Sequence, residues 1–185
     1  MQGNTTLARE QHTTASPMIT AEKQPAQLAL TLLRLTLRAL FVWVFFENWG
    51  KNLYTPDGYA GLINFYINES TAPQAWKGVM RFIADNAAFF APIQAVTEIT
   101  FGVLLLLGVL TRPVALGAFV FLTTLWVSEL GTAWIWELLI PMAVALSLAV
   151  GAAGRTWGVD GLLRSRLRTA AQRGNSLARL ARALT

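Results

Sequence analysis

Four long apolar stretches dominate the pattern of hydrophobic and polar positions along the chain. They cover about 27–46, 87–110, 113–128 and 133–153. Each is close to the roughly 20 residues that a helix needs to cross about 30 Å of hydrocarbon, allowing for tilt. None shows the regular polar stripe of a helix in a soluble bundle. The pattern therefore predicts an all-α fold, a four-helix transmembrane bundle.

A long connection between the first and second stretches, about 48–86, has a helical pattern of its own. Its apolar residues recur at helical spacing in two groups: Tyr59, Leu62, Ile63, Tyr66 and Ile67, then Trp76, Val79, Met80 and Ile83. This spacing predicts two short amphipathic helices in the outer loop, lying on the outer face of the bundle. Two roles agree with the pattern: an anchor at the membrane interface, and a lid over the bundle.

The distribution of positive charge predicts the orientation of the chain. Only 14% of the residues are charged, yet the net charge is +5. Basic residues precede the first stretch, Arg112 lies between the second and third, and seven arginines follow the fourth. Short loops and tails rich in Lys and Arg stay on the cytoplasmic side. We expect a multi-pass protein of a prokaryotic inner (plasma) membrane, with both termini cytoplasmic.

The composition divides the chain into three parts. Residues 1–26 are polar and predict a disordered cytoplasmic arm. Residues 27–159 form the membrane domain, and 160–185 form a basic amphipathic tail in which Asp160 is a candidate N-cap for the helix that follows. The tail is expected to bind anionic lipid headgroups, or alternatively a cytoplasmic partner, and no nucleic acid. Its candidate headgroup-binding residues are Arg164, Arg166, Arg168, Arg173, Arg179 and Arg182.

The content of cysteine and histidine limits the cofactor chemistry of the chain. It has no cysteine, and its one histidine, His12, lies in the polar arm. Disulfides, thiolate metal sites, iron–sulfur ligation and histidine-ligated haem are therefore not expected. We expect no metal site and no intrinsic cofactor.

Three ionisable residues lie within the predicted spans and are candidates for a functional site. They are Arg34 and Arg38 in the first stretch and Glu98 in the second. A charge in the bilayer is costly unless it is paired or hydrated. Counting about 1.5 Å per residue from each helix start places Arg38 and Glu98 at similar depth. We predict an ion pair there, either a structural clasp or part of a polar site that binds a quinone or anion headgroup or relays protons.

Four further charged residues predict a polar rim at the outer side. Glu47 and Lys51 have the favourable i to i+4 order for an ion pair at the end of the first span. Glu129 and Glu137 flank the short turn between the third and fourth spans.

Several short motifs occur in a characteristic order along the chain. They are Leu33-Arg34-Leu35, Gly50-Lys51, Glu98-Ile99-Thr100-Phe101-Gly102, Thr111-Arg112 and Gly154-Arg155-Thr156-Trp157-Gly158-Val159-Asp160. Together they resemble the DoxX family, and particularly its DoxD-like branch, named for the small membrane subunit of thiosulfate:quinone oxidoreductase. The resemblance covers about 28–163. It implies a four-helix membrane protein linked to redox complexes that pass electrons to membrane quinone. Arg38 departs from the small residue that the family pattern leads us to expect.

Two classes of function follow. In the first, the chain is an integral membrane subunit of a quinone-linked oxidoreductase complex, with membrane quinone as its ligand near Arg34, Arg38 and Glu98. Other protein subunits would then supply the redox cofactor, and a homo-oligomer is compatible with this role. In the second, the chain is a non-catalytic membrane scaffold or lipid-binding protein that organises a larger complex. A bound quinone favours the first class, and a bound lipid tail without quinone favours the second.

Overall fold

The computed structural model describes residues 17–151, 158–173 and 176, and these residues form helices, turns and loops without a strand. The helices are α1 (Pro17–Gly50), α2 (Pro56–Glu69), α3 (Gln74–Asp85), α4 (Ala87–Leu107), α5 (Thr111–Ser128), α6 (Ile135–Gly151) and α7 (Val159–Gln172). The predicted all-α class is therefore confirmed.

Three helices are long and apolar enough to cross a membrane: α4, α5 and the Ala26–Gly50 part of α1. The fourth apolar helix, α6, has 17 residues and so a length of about 26 Å. These helices confirm the predicted helical membrane bundle. The first helix begins at Pro17, inside the 1–26 segment for which the sequence predicts a disordered arm. Residues 1–16, with His12, lie outside the described residues.

The two predicted helices of the long connection are present as α2 and α3. Thr55 caps the start of α2, since its hydroxyl oxygen accepts a hydrogen bond of 3.2 Å from the backbone N–H of Gly58, and Pro56 follows it. The apolar faces of α2 and α3 form a small core with the first turns of α4. Its buried members are Tyr59, Ile63, Ile67, Met80, Ala84, Ala87 and Ala91. We call this end of the bundle the α2–α3 end, and the opposite end the α7 end.

The main core lies between α1, α4, α5 and α6. Small residues on α5 and α6, including Ala115, Ala118 and Ala145, are fully buried there and allow the two helices to approach closely. Phe41 packs against Phe101 with ring centroids 5.3 Å apart, at an angle that aromatic pairs favour. The bundle is thus held by close packing of side chains, which is the main attraction available to helices in lipid.

Asp160 ties the α7 end of the bundle together. Its two carboxylate oxygens accept hydrogen bonds of 2.8 and 2.9 Å from the backbone N–H groups of Leu110 and Thr111, at the start of α5. Its own N–H donates to the carbonyl of Gly108 at 3.0 Å. The prediction that Asp160 caps the following helix is therefore wrong: Gly158 is the N-cap of α7, and Asp160 caps α5, which precedes it by about 50 residues.

Gly108 is expected to be indispensable for this arrangement. Its φ of +62° is in the left-handed region, and a Cβ there would lie 2.5 Å from Nη1 of Arg34 and 2.8 Å from Cα of Gly158. We predict that Gly108→Ala lowers the free energy of unfolding by about 1–3 kcal/mol, from backbone strain and steric conflict. Thermal unfolding of the purified protein in mild detergent measures this loss.

Gly61→Ala is the matched control, because a Cβ at Gly61 in α2 meets nothing within 4 Å. We expect this variant to be unchanged or more stable by up to about 1 kcal/mol, given the higher helix propensity of alanine. Equal destabilisation of the two variants would contradict the steric argument.

Candidate functional site

A cavity of about 770 Å³ opens between the helices at the α2–α3 end. This volume is within the range of roughly 300–1,000 Å³ that is typical of small-molecule sites. One part of its wall is apolar and the other is polar. Its apolar lining includes Leu40 and Val44 of α1, Leu62 of α2, Leu125 of α5 and Leu138 of α6. Its charged lining residues are Glu47, Lys51, Glu98, Glu129 and Glu137.

Glu98 is the most deeply buried of these charged residues, with only 1% of its surface exposed. One carboxylate oxygen accepts a hydrogen bond of 2.7 Å from the amide of Gln94, one turn earlier on α4. The other accepts from the hydroxyl of Tyr54 and, at 3.2 Å, from the amide of Asn48. Three neutral donors therefore satisfy the carboxylate, which is what a buried acidic group requires.

The ion pair predicted between Arg38 and Glu98 is not formed; the one salt bridge among the described residues is Lys51–Glu47. The residue of α1 that meets Glu98 is Asn48, ten residues and about 15 Å beyond Arg38. The depth estimate failed because α4 does not begin level with the end of α1. Its first turns belong to the core with α2 and α3, which moves Glu98 toward the α2–α3 end.

Arg34 and Glu98 consequently belong to different sites. The Arg34 side chain is 1% exposed and lies beside Gly108 at the α7 end, where the negative charge of Asp160 acts on it. Arg38 is half-buried on α1 and is not among the residues that line the cavity. Of the three residues that the sequence places in one polar site, only Glu98 lines the cavity.

Glu129 holds a second tyrosine at the cavity wall. The Tyr66 hydroxyl donates to Oε1 of Glu129 at 2.9 Å. Burial raises the pKa of Glu129 above its ordinary value, and the nearby charge of Glu137 adds to this effect, whereas the hydrogen bond from Tyr66 opposes it. Burial, and then the charge of Glu129, raise the pKa of Tyr66, so that its phenol stays protonated and able to donate.

The tyrosines connect the α2 segment to the rest of the bundle. The sequence has three, and each hydroxyl donates to a residue of another part of the fold: Tyr54 to Glu98, Tyr59 to Gln94 at 3.5 Å, and Tyr66 to Glu129. Tyr59 and Tyr66 also line the cavity, with Leu62 and Ile63 between them. Helix α2 therefore covers one side of the cavity.

Sequence reasoning missed Tyr54, Tyr66, Asn48 and Gln94 as site residues. Gln94 and Glu98 do carry a readable signal, since their i to i+4 spacing places two polar groups on one face of an apolar helix. The tyrosines carry no such signal in the sequence, because their hydrogen-bond partners are about 35 to 63 residues away.

The predicted rim residues are all at the cavity. The Lys51 ammonium lies 2.6 Å from Oε1 of Glu47, which is the expected i to i+4 pair. Both side chains are about half exposed, so solvent screens the two charges and the pair adds little to stability. Glu137 is exposed in the first turn of α6.

The basic tail is helical over α7, and its described arginines, Arg164, Arg166, Arg168 and Arg173, are exposed. Leu162, 77% exposed, is on the same helix. Arg179 and Arg182 lie outside the described residues.

The apolar helices and the half-apolar cavity between them define a multi-pass helical membrane protein, whose surroundings are a lipid bilayer. The family model for DoxX matches residues 29–129, and the chain belongs to the DoxX family. The match includes Glu98, Glu129 and the three tyrosines. No curated protein and no solved structure matches the chain.

The environment of Glu129 predicts a pH dependence of stability. Its pKa in the folded protein is above its ordinary value of 4.5, so the folded state holds the proton more tightly than the unfolded state does. The free energy of unfolding should therefore decrease as the pH rises from 4.5 through the raised pKa. Glu129→Gln removes this titration while its amide oxygen still accepts from Tyr66. Between about pH 5 and about pH 8, we expect the Tm of this variant to decrease less than that of the unaltered protein.

Glu69→Gln is the control, because Glu69 is an exposed carboxyl at the end of α2 and its removal changes the net charge equally. Its profile should follow that of the unaltered protein. A similar flattening in both variants would mean that net charge, rather than burial of Glu129, causes the dependence.

Proposed function

We propose that this DoxX family protein is the integral membrane subunit of a quinone-linked oxidoreductase complex of the DoxD-like type, and that the large cavity is its quinone site. The observation that carries the proposal is a cavity of about 770 Å³ with one polar and one apolar wall, inside a bundle of membrane-crossing helices. A membrane quinone has the same division, because a polar ring is joined to an apolar tail.

The polar groups of the cavity favour a neutral ring, in either its quinone or its quinol form, over an anion. Lys51 is the one cation among the lining residues, and the carboxylate of Glu47 already engages it. The lining has three further carboxylates, those of Glu98, Glu129 and Glu137. An anion would be repelled by this excess of carboxylates. The anion site considered for Arg34 and Arg38 is also not supported, because neither arginine lines the cavity.

The chain's own residues would bind and orient the ring, while a partner subunit would supply the electron-transfer cofactor. Tyr54, Asn48 and Gln94 hold Glu98 in a fixed position, and Tyr66 holds Glu129. A carboxylate held by hydrogen bonds recognises a ligand without the cost of reorganising itself. The α2–α3 end is the nearest surface for the partner, since the cavity lies beneath it.

The orientation belongs to the same proposal. The exposed arginines of α7 support an orientation in which the α7 end is at the cytoplasmic face of a prokaryotic inner membrane, where they would bind anionic headgroups. The cavity then lies toward the opposite face, and the electron donor would be a subunit outside the cytoplasm.

A lipid-binding or scaffold role is the second candidate, because the apolar wall that suits a quinone tail also suits an acyl chain. The two candidates differ in the polar end of the ligand. The ring of a quinone or quinol would contact the carboxylates of the cavity, whereas an acyl chain would contact the apolar wall alone.

Filling the cavity should remove the bound quinone. Ala39 lines the cavity and is exposed, so Ala39→Phe places a ring in the cavity without disturbing the core. We expect the unaltered protein, extracted from native membranes in mild detergent, to carry quinone detectable by mass spectrometry. The Ala39→Phe variant should retain about tenfold less, which corresponds to about 1.4 kcal/mol of lost affinity.

Val96→Phe is the control, since Val96 is 63% exposed on α4 and does not line the cavity. It should retain as much quinone as the unaltered protein. Phospholipid without quinone in the unaltered protein would contradict the oxidoreductase proposal and support the lipid-binding role.

A further inference from the structure

Each hydroxyl group that lines the cavity uses its hydrogen within the protein. The acceptor in every case is a carbonyl, amide or carboxylate oxygen, which has no hydrogen to give, so the hydroxyl must be the donor. The bonds are Thr36 to the carbonyl of Leu32 (3.0 Å), Tyr59 to the amide oxygen of Gln94 (3.5 Å), Tyr66 to Glu129 (2.9 Å) and Ser128 to the carbonyl of Thr124 (2.8 Å).

The amide and ammonium groups of the lining also have partners within the protein. Asn48 and Gln94 donate to Glu98, and Lys51 donates to Glu47 at the exposed rim, which leaves further N–H hydrogens on these three groups. Acceptors nevertheless predominate in the free hydrogen-bonding capacity of the cavity. The remaining lone pairs on the carboxylates of Glu98 and Glu129, with those of Glu137 near the opening, outnumber these hydrogens.

We propose that the cavity binds the reduced, dihydroxy form of its ring, a quinol, in preference to the quinone, and that Glu98 and Glu129 each accept one hydroxyl hydrogen. This inference rests on the proposed quinone-linked function and adds which redox form the resting site recognises. A quinol has two O–H donors at opposite ends of the ring, whereas a quinone has two acceptors and no donor.

The two carboxylates come from different walls of the cavity. Glu98 is on α4, and Glu129 follows the end of α5. Tyr59, which binds Gln94 beside Glu98, and Tyr66, which binds Glu129, are seven residues and about 10 Å apart along α2. An aromatic ring with a hydrogen bond at each end spans a comparable length. The ring would then lie under α2, with the tail along the apolar wall.

A quinone in the same position would face carboxylates with its own carbonyl oxygens. An acceptor placed against an acceptor gains no hydrogen bond and loses those that it makes with water. Such a mismatch is expected to reduce affinity by about tenfold or more. Tyr54 and Tyr66 are positioning residues in this scheme, because they fix the carboxylates and do not contact the ring through their own hydrogens.

Equilibrium binding to the full-length protein in lipid nanodiscs tests this inference. The probes are a decyl-substituted benzoquinol under anaerobic conditions and the corresponding decyl-benzoquinone, measured by titration calorimetry. We expect the quinol to bind about tenfold more tightly or better. Glu98→Gln and Glu129→Gln should each move the ratio of the two affinities toward one, because each replaces a carboxylate by a group that can also donate.

Glu69→Gln is the matched control, since Glu69 is an exposed carboxyl at the end of α2 and does not line the cavity. Its ratio should stay within about twofold of that of the unaltered protein. Glu129→Gln keeps an acceptor for Tyr66 and carries the test alone if Glu98→Gln does not fold.

The outcomes separate this inference from the proposed function. Equal binding of both forms, tighter binding of the quinone, or a ratio unchanged in Glu129→Gln would overturn the quinol preference and leave the quinone site standing. Binding of neither form to the unaltered protein would overturn both.

Discussion

The burial of the Glu98 carboxylate in an apolar bundle constrains much of the surrounding structure. A charged or polar group in lipid must have hydrogen-bond partners from the protein, because water is not there to replace them. Gln94 supplies one partner from the same helix, Asn48 a second from α1, and Tyr54 a third from the loop before α2. The third partner brings the α2 segment over the bundle. The part of the polar wall around Glu98 is thus a direct result of satisfying one side chain.

The same requirement applies at the α7 end of the bundle, where a buried cation has an acidic residue beside it. Arg34 is buried beside Gly108, and Asp160 brings a negative charge to it across the turn between α4 and α5. Asp160 also satisfies two backbone N–H groups at the start of α5, which have no partner within the helix. The segment that follows the last apolar helix is therefore fixed to the bundle by an acidic group that serves both a helix end and a buried cation.

Features that depend on short segments could be predicted from the sequence, and features that depend on distant residues could not. The four apolar helices and the two helices of the outer connection were predictable, because length and periodicity are properties of short segments. The partner of Glu98 was not, since it depends on the relative register of α1 and α4. That register is set by packing such as that of Gly102, where a Cβ would lie 2.9 Å from a methyl group of Val42. The backbone N–H groups that donate to the Asp160 carboxylate could not be predicted either, because they are about 50 residues away in the sequence. Depth counted from the start of an apolar stretch is therefore a poor guide to pairing.

The placement of charge along the bundle bears on what the cavity can recognise. The buried cation, Arg34, is at the α7 end with Asp160, so its charge does not offset the carboxylates at the α2–α3 end. The cavity is left with Glu98 and Glu129, both held by tyrosine hydroxyls, and with its own hydroxyl groups engaged. Had Arg38 reached Glu98, the same cavity would offer a guanidinium, five N–H donors and a neutralised acid, and would suit an anion or a quinone carbonyl. The register of two helices, rather than the identity of the residues, decides which charged side chains reach the cavity.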